Sequence, residues 1–105
     1  MQSNDSLKEI QQKVNSWIIN HGGYWPPLAM LAAITEELGE LAREINSNEG
    51  YKPKKVKEKG LRLGEELGDL LFSLICIANY YKIDLNTGFN KVIKKYIERD
   101  STRFL

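Results

Sequence analysis

The chain has 105 residues, of which 42% are hydrophobic and 28% charged, with three prolines and eight glycines. That length and balance fit one globular domain spanning residues 1–105 and exclude a disordered or fibrous chain. The net charge of +1 argues against a nucleic-acid binder, which at this length would be far more basic.

The sum conceals an asymmetry. Residues 1–50 carry three basic and seven acidic side chains, whereas residues 51–105 carry twelve basic and seven acidic ones. One half offers carboxylates and the other offers cations. The single Cys76 cannot form an internal disulfide and sits in an apolar run, where it reads as a small buried hydrophobe in a reducing compartment. The N-terminus lacks a basic segment followed by an apolar one, so no signal peptide is expected. The apolar run from Leu70 to Ala78 is too short to span a bilayer. Together these point to a cytoplasmic protein that does not enter a membrane.

The first helix is predicted from about Leu7 to Asn20, because Leu7, Ile10, Val14, Trp17 and Ile18 recur at three- and four-residue steps. Ser6 followed by Glu9 has the spacing of a capping box, and Gly22-Gly23 stops the helix. Trp17 falls in the apolar stripe, so core packing is its expected role. Tyr24-Trp25-Pro26-Pro27 is a stiff connector, and Pro27 suits the first turn of the next helix. That second helix should run to about Asn46 with Leu31, Ile34, Leu38, Leu41 and Ile45 as its apolar stripe. Residues 47–59, rich in lysine and glutamate and broken by Gly50 and Pro53, read as a solvated loop.

The third helix is expected from about Gly60 to Tyr81. It becomes apolar on nearly every side between Leu70 and Ala78, and such a helix must be covered on every side. Four helices of one short chain cannot supply that cover, which predicts a partner subunit. Residues 83–86 break the chain, and a fourth helix follows to about Arg99. No segment alternates with period two, so an all-α fold is expected.

Two acidic clusters stand out on these helices. Glu36-Glu37-Leu38-Gly39-Glu40 lies on the second, and Glu65-Glu66-Leu67-Gly68-Asp69 on the third. Each holds a pair at i, i+3, Glu37 with Glu40 and Glu66 with Asp69, which share one helix face. On a helical wheel Glu37 lies about 60° from the apolar axis and Glu66 about 40°, so each pair borders its buried stripe. Arg62 and Ser73 share the side of Glu66 and Asp69, and Glu36 points away from the core. Four unpaired carboxylates near a low-dielectric core would be strongly unfavourable. They call for a divalent cation, and all-oxygen ligation suits Mg²⁺ or Mn²⁺. Gly39 and Gly68, costly inside helices, suggest close backbone approach at both motifs.

Glu37-x-x-Glu40, a spacer of 25 residues, and Glu66-x-x-Asp69 resemble the signature of the MazG-like all-α nucleoside triphosphate pyrophosphohydrolases. The likeness extends over roughly residues 24–100. It implies a four-helix bundle completed by homo-oligomerisation, as a homodimer or homotetramer. It also implies hydrolysis of nucleoside or deoxynucleoside triphosphates to the monophosphate and pyrophosphate, as in house-cleaning of the nucleotide pool, with Mg²⁺ held by Glu37, Glu40, Glu66 and Asp69. Glu36 or Glu37 would assist as the base or orient the attacking water. Lys95-Tyr96-x-x-Arg99-Asp100 is similar to the family's Lys and Arg after the fourth helix, and Lys91, Lys95 and Arg99 form a stripe at i, i+4, i+8 that would supply the cations a triphosphate needs. Tyr24 and Trp25 precede the acidic helix, where family members often use aromatics to stack the nucleobase, and Trp25 with His21, nearby in sequence, are the nucleobase-binding candidates. Ser73 stands where some relatives place an aromatic residue against the sugar. A phosphoribosyl-ATP pyrophosphohydrolase would share these motifs, and a non-catalytic helical interaction module would use the same carboxylates only as a solvated face.

Overall fold

The computed structural model describes residues 5–50 and 61–100. They form four α-helices: α1 (Leu7–Ile19), α2 (Pro27–Asn48), α3 (Leu61–Tyr80) and α4 (Leu85–Asp100). There is no strand among the described residues, as the absence of a two-residue period requires. Within the solvated loop expected at 47–59, residues 47–48 complete α2, Glu49 and Gly50 turn, and 51–59 lie outside the described residues.

Local chemistry sets each helix end. The Ser6 hydroxyl accepts the Glu9 N–H at 3.2 Å, and the Glu9 carboxylate accepts the Ser6 N–H at 3.0 Å, completing the capping box. α1 ends where Gly22 and Gly23 take φ of 106° and 85°, a left-handed turn that side chains with a Cβ resist. Pro26 and Pro27 start α2, where a missing N–H costs nothing. Lys82 closes α3 at φ 57°. Asp84 then caps α4: its carboxylate accepts from the Asn86 N–H at 2.9 Å and the Thr87 hydroxyl at 3.0 Å. These bonds hold the Asp84 carboxyl below its ordinary pKa.

α2 and α3 pack along one another, α1 crosses onto α3, and α4 meets α1 near its own first turns. The core is small. Val14, Met30, Ile75 and Cys76 form its buried centre, with Ile10, Ile18, Tyr24, Ile77 and Leu85 packed around them. Cys76 is buried, as expected, and burial pushes its thiol pKa up.

α2 does not bury the stripe that its periodicity suggests. Leu31, Leu38 and Ile45 are exposed, while Met30, Leu41, Glu44 and Ser47 are buried. The face turned to α3 is rotated by roughly 60–80° from the stripe's axis toward Glu37 and Glu44. α3 shows the same division: Ile75, Cys76 and Ala78 are buried, but Leu67, Leu71 and Leu74 are bare. On α4, Phe89, Val92, Ile93, Tyr96 and Ile97 are exposed as well. Gly39 and Gly68 do not mark close approach within the chain, because a Cβ at either would meet open space. No helix among the described residues is long and apolar enough to cross a membrane.

A polar bolt joins three helices at one corner. The Gln11 amide donates to Asn79 Oδ1 and to the Ile83 carbonyl, both at 2.9 Å, and its oxygen accepts the Leu85 N–H at 2.9 Å. Asn79 returns a bond to the Gln11 carbonyl at 3.0 Å. Gln11 is buried, so removing its side chain strands several partners without water. Gln11→Ala is expected to destabilise the fold by about 2–4 kcal/mol, read as a lowered urea midpoint with an unchanged slope.

Candidate active site

The site is built on the facing sides of α2 and α3. One carboxylate oxygen each from Glu37, Glu66 and Asp69 come together within 4.8 Å of one another. Glu66 is buried, Glu37 half-buried and Asp69 exposed, so the cluster runs from the helix interface out to solvent. Helical geometry explains the convergence: Glu66 and Asp69 share a face of α3, and Glu37 lies on the rotated inner face of α2.

Glu40, the fourth expected ligand, is exposed and not one of the three converging groups. It stands near enough, with Glu36, to act on Glu37 electrostatically. The Glu37 carboxyl is held above its ordinary pKa, first by loss of surrounding water and then by the charges of Asp69, Glu66, Glu40 and Glu36. Glu36 is exposed, as its place on the wheel implied.

Glu44, not singled out by the motif, is buried one turn beyond Glu40 on α2. The Arg62 guanidinium reaches it at 3.5 Å and Glu66 at 3.9 Å. Arg62 therefore places one positive charge between two buried carboxylates on opposing helices. The i, i+4 step from Arg62 to Glu66 is legible in the sequence, whereas the partnership with Glu44 needs the rotation of α2.

A cavity of about 390 Å³ opens beside the carboxylates, and Glu37 forms part of its wall. Trp17, His21, Tyr24, Trp25, Phe72 and Ser73 are among the other residues of its lining. Both residues expected to contact a base, Trp25 and His21, are thus on the same cavity as Glu37. Trp17 is not a core residue. It is more than half exposed, its indole stacks on His21 with centroids 4.1 Å apart, and Phe72 meets it edge-on at 6.5 Å. The reason is the connector: turning at Gly22-Gly23 folds Tyr24 and Trp25 back past the end of α1, so the last turn of α1 faces a cleft instead of a packed helix.

The basic stripe of α4 stands apart. Lys91, Lys95 and Arg99 lie on an exposed face. Lys95 and Arg99 lie over the Tyr96 ring at 5.0 and 4.7 Å, and Arg99 makes two 2.9 Å hydrogen bonds to Asp100. α4 leans on α1, not along α2 or α3. These cations are not among the groups that act on Glu37.

A carboxyl whose folded pKa is raised binds more protons in the folded state than in the unfolded one. Between its unfolded and folded pKa values, stability falls as pH rises. The metal-free chain is therefore expected to lose thermal stability as pH rises from about 4.5. Glu37→Gln should flatten that loss and raise the melting temperature at neutral pH, as read by scanning calorimetry without divalent ions.

Residues 26–104 match the family model of the MazG nucleotide pyrophosphohydrolase domain. The chain is 46% identical to the uncharacterized protein YpjD of Bacillus subtilis over 103 residues, 97% of this chain and 93% of that protein. It is 30% identical over 82 residues to the nucleoside triphosphate pyrophosphohydrolase/pyrophosphatase MazG of Thermotoga maritima, covering 70% of this chain but 32% of that longer protein. The crystal structure of YpjD from Bacillus subtilis superposes with a TM-score of 0.82, covering 90% of this chain and 98% of that one. A Bacillus-conserved MazG protein, a nucleotide pyrophosphohydrolase, superposes with a TM-score of 0.77 at 42% identity, covering 95% and 97% of the two chains. With the family model matching residues 26–104 and relatives at 46% and 42% identity aligned over most of both chains, the chain belongs to the MazG nucleotide pyrophosphohydrolases.

Proposed function

We propose that this chain hydrolyses nucleoside or deoxynucleoside triphosphates to the monophosphate and pyrophosphate, with Mg²⁺ or Mn²⁺ held on Glu37, Glu66 and Asp69 and with Glu40 completing the set. The observation that carries this reading is the convergence of three carboxylate oxygens from two helices within 4.8 Å, at the edge of an aromatic cavity. The donor set fits a hard divalent cation: all the candidate ligands are carboxylate oxygens, and one of them, Glu66, is buried. When bound, such an ion neutralises phosphate charge and lowers the pKa of a water poised for attack.

The chain's own residues supply the rest. Glu37 stands on both the carboxylate cluster and the cavity wall, so it fixes where the triphosphate meets the base pocket. Trp25 and His21 bound the space for the nucleobase, with Trp17 behind His21. Glu36 and Glu37 are the carboxylates assigned to orient the attacking water and accept its proton, and of the two only Glu37 lines the cavity. Water attacks the α-phosphorus, the bond to the bridging oxygen breaks, and pyrophosphate leaves. Lys91, Lys95 and Arg99 are assigned to the phosphate chain on the strength of their charge and spacing.

We also propose that the working unit is a homodimer or homotetramer in the cytoplasm. Bare leucine stripes on α2 and α3 and the bare aromatic and β-branched face of α4 support it. Exposed apolar surface on this scale marks an interaction face.

A pyrophosphate-release assay with the eight common NTPs and dNTPs is expected to give monophosphate and pyrophosphate in equal amounts, and EDTA is expected to abolish it. Glu66→Ala or Asp69→Ala should lower kcat/KM by about 10³-fold or more, since the ligands act as a unit. Full activity in EDTA, or in either variant, sinks the metal assignment. Sedimentation should return two or four times the chain mass, and Leu71→Asp should shift it toward the monomer.

A further inference from the structure

The last turn of a helix leaves carbonyls without intrahelical partners. On α1 one of these is the Trp17 carbonyl, because the His21 N–H, which would ordinarily reach it, bonds the Ile18 carbonyl at 3.0 Å instead. The His21 ring occupies the vacancy: its Nδ1 lies 2.6 Å from the Trp17 carbonyl oxygen. A carbonyl oxygen only accepts, so Nδ1 must carry the proton. In the neutral imidazole, a proton on Nδ1 leaves Nε2 as a bare acceptor.

The ring is also held in orientation. The Trp17 indole lies against one face at 4.1 Å with an interplanar angle of 16°. With Nδ1 tied back to the helix, Nε2 lies on the ring edge directed away from the Trp17 carbonyl. His21 has no second bond among the described residues. The neighbouring Tyr24 hydroxyl is occupied, donating to Asn15 Oδ1 at 2.7 Å. Glu37, the charged group of the cavity wall, is assigned to the triphosphate end.

We propose that His21 is a specificity-determining residue whose Nε2 accepts a hydrogen bond from an N–H of the substrate's base, so that the cavity selects bases presenting a donor edge and discriminates against those whose N–H groups are masked. The inference rests on the nucleotide reading of the site. His21 reads the base with its edge, while its face is already engaged by Trp17. This division gives one side chain a polar task and leaves stacking to Trp25.

The test has two arms, both run at the same mildly alkaline pH. The first is ¹⁵N NMR of the intact chain, where the tautomer is read directly from the ring nitrogens. Nε2 is expected to be the unprotonated one. An unprotonated Nδ1 overturns the proposal whatever the enzyme does. The second arm compares the best substrate of the nucleotide panel with its analogue in which each base N–H is replaced by N–CH₃. Wild type is expected to favour the parent by about tenfold or more, as a site built around a hydrogen bond rejects an analogue lacking it. His21→Phe should lose most of that preference, and His21→Gln, which retains an acceptor, should recover part of it. An undiminished preference in His21→Phe overturns the proposal. The same ratios can be read as Kd for α,β-methylene nucleotides. Absence of hydrolysis would then fail the proposed reaction while the binding ratios still decide the role of His21.

Discussion

Negative charge drawn together across the α2–α3 interface is the constraint around which this molecule is arranged. Glu37, Glu66 and Asp69 converge, Glu36 and Glu40 stand close by, and Glu44 is buried one turn further on. Like charges in a partly dehydrated cleft oppose folding. Among the described residues Arg62 places its guanidinium between Glu44 and Glu66, and Glu37 is left with a raised pKa. An enzyme that needs a strong cation site must hold ligands in an arrangement that is unfavourable when empty. Stability has to come from elsewhere, and the small apolar centre around Ile75 together with the Gln11 bolt are the places in this chain that provide it.

The fold was largely legible from periodicity. Four helices lie where the three- and four-residue steps place them, with ends differing by one or two residues, and the Ser6–Glu9 capping box forms as its spacing requires. The i, i+3 spacing puts Glu66 and Asp69 on one face of α3, whereas bringing Glu37 of α2 to them depends on how the two helices pack. What periodicity does not contain is the rotation of a helix whose apolar arc is wider than its contact. α2 could turn toward Leu38 or toward Glu37, and the contact with α3 selects the second. Glu44 was hidden for the same reason, since a glutamate on a helix reads as solvated until its neighbour is known. Trp17 was assigned to the core because it shares the stripe of Val14. Its actual place depends on how the Gly22-Gly23 turn carries Tyr24 and Trp25, a three-dimensional fact with no local signature.

The two signs of charge met different fates. The acidic side chains of α2 and α3, drawn from both halves, gather into one cluster. The basic half, as far as α4 represents it, stays on an exposed helix that leans on α1. Its cations are paired within the helix, Arg99 with Asp100 and both Lys95 and Arg99 over Tyr96. Among the described residues the cations of α4 do not act on Glu37, whereas Arg62 of α3 reaches Glu66. The same chain leaves apolar stripes bare on three helices, so the regions that lack polar partners and those that lack apolar cover are both found on the outward faces.

The Gln11 bolt also bears on the order in which the chain can become native. Its bonds join residues 68 to 74 positions apart, the kind of closure that is slow because loop entropy is lost before any contact forms. α2 and α3 are consecutive helices and can meet without waiting for either terminus. α1, made first, holds a buried glutamine that has no partner until Asn79, Ile83 and Leu85 have been synthesised and turned. The bonds that fasten α1 at this corner therefore carry the entropic cost of closing a long loop.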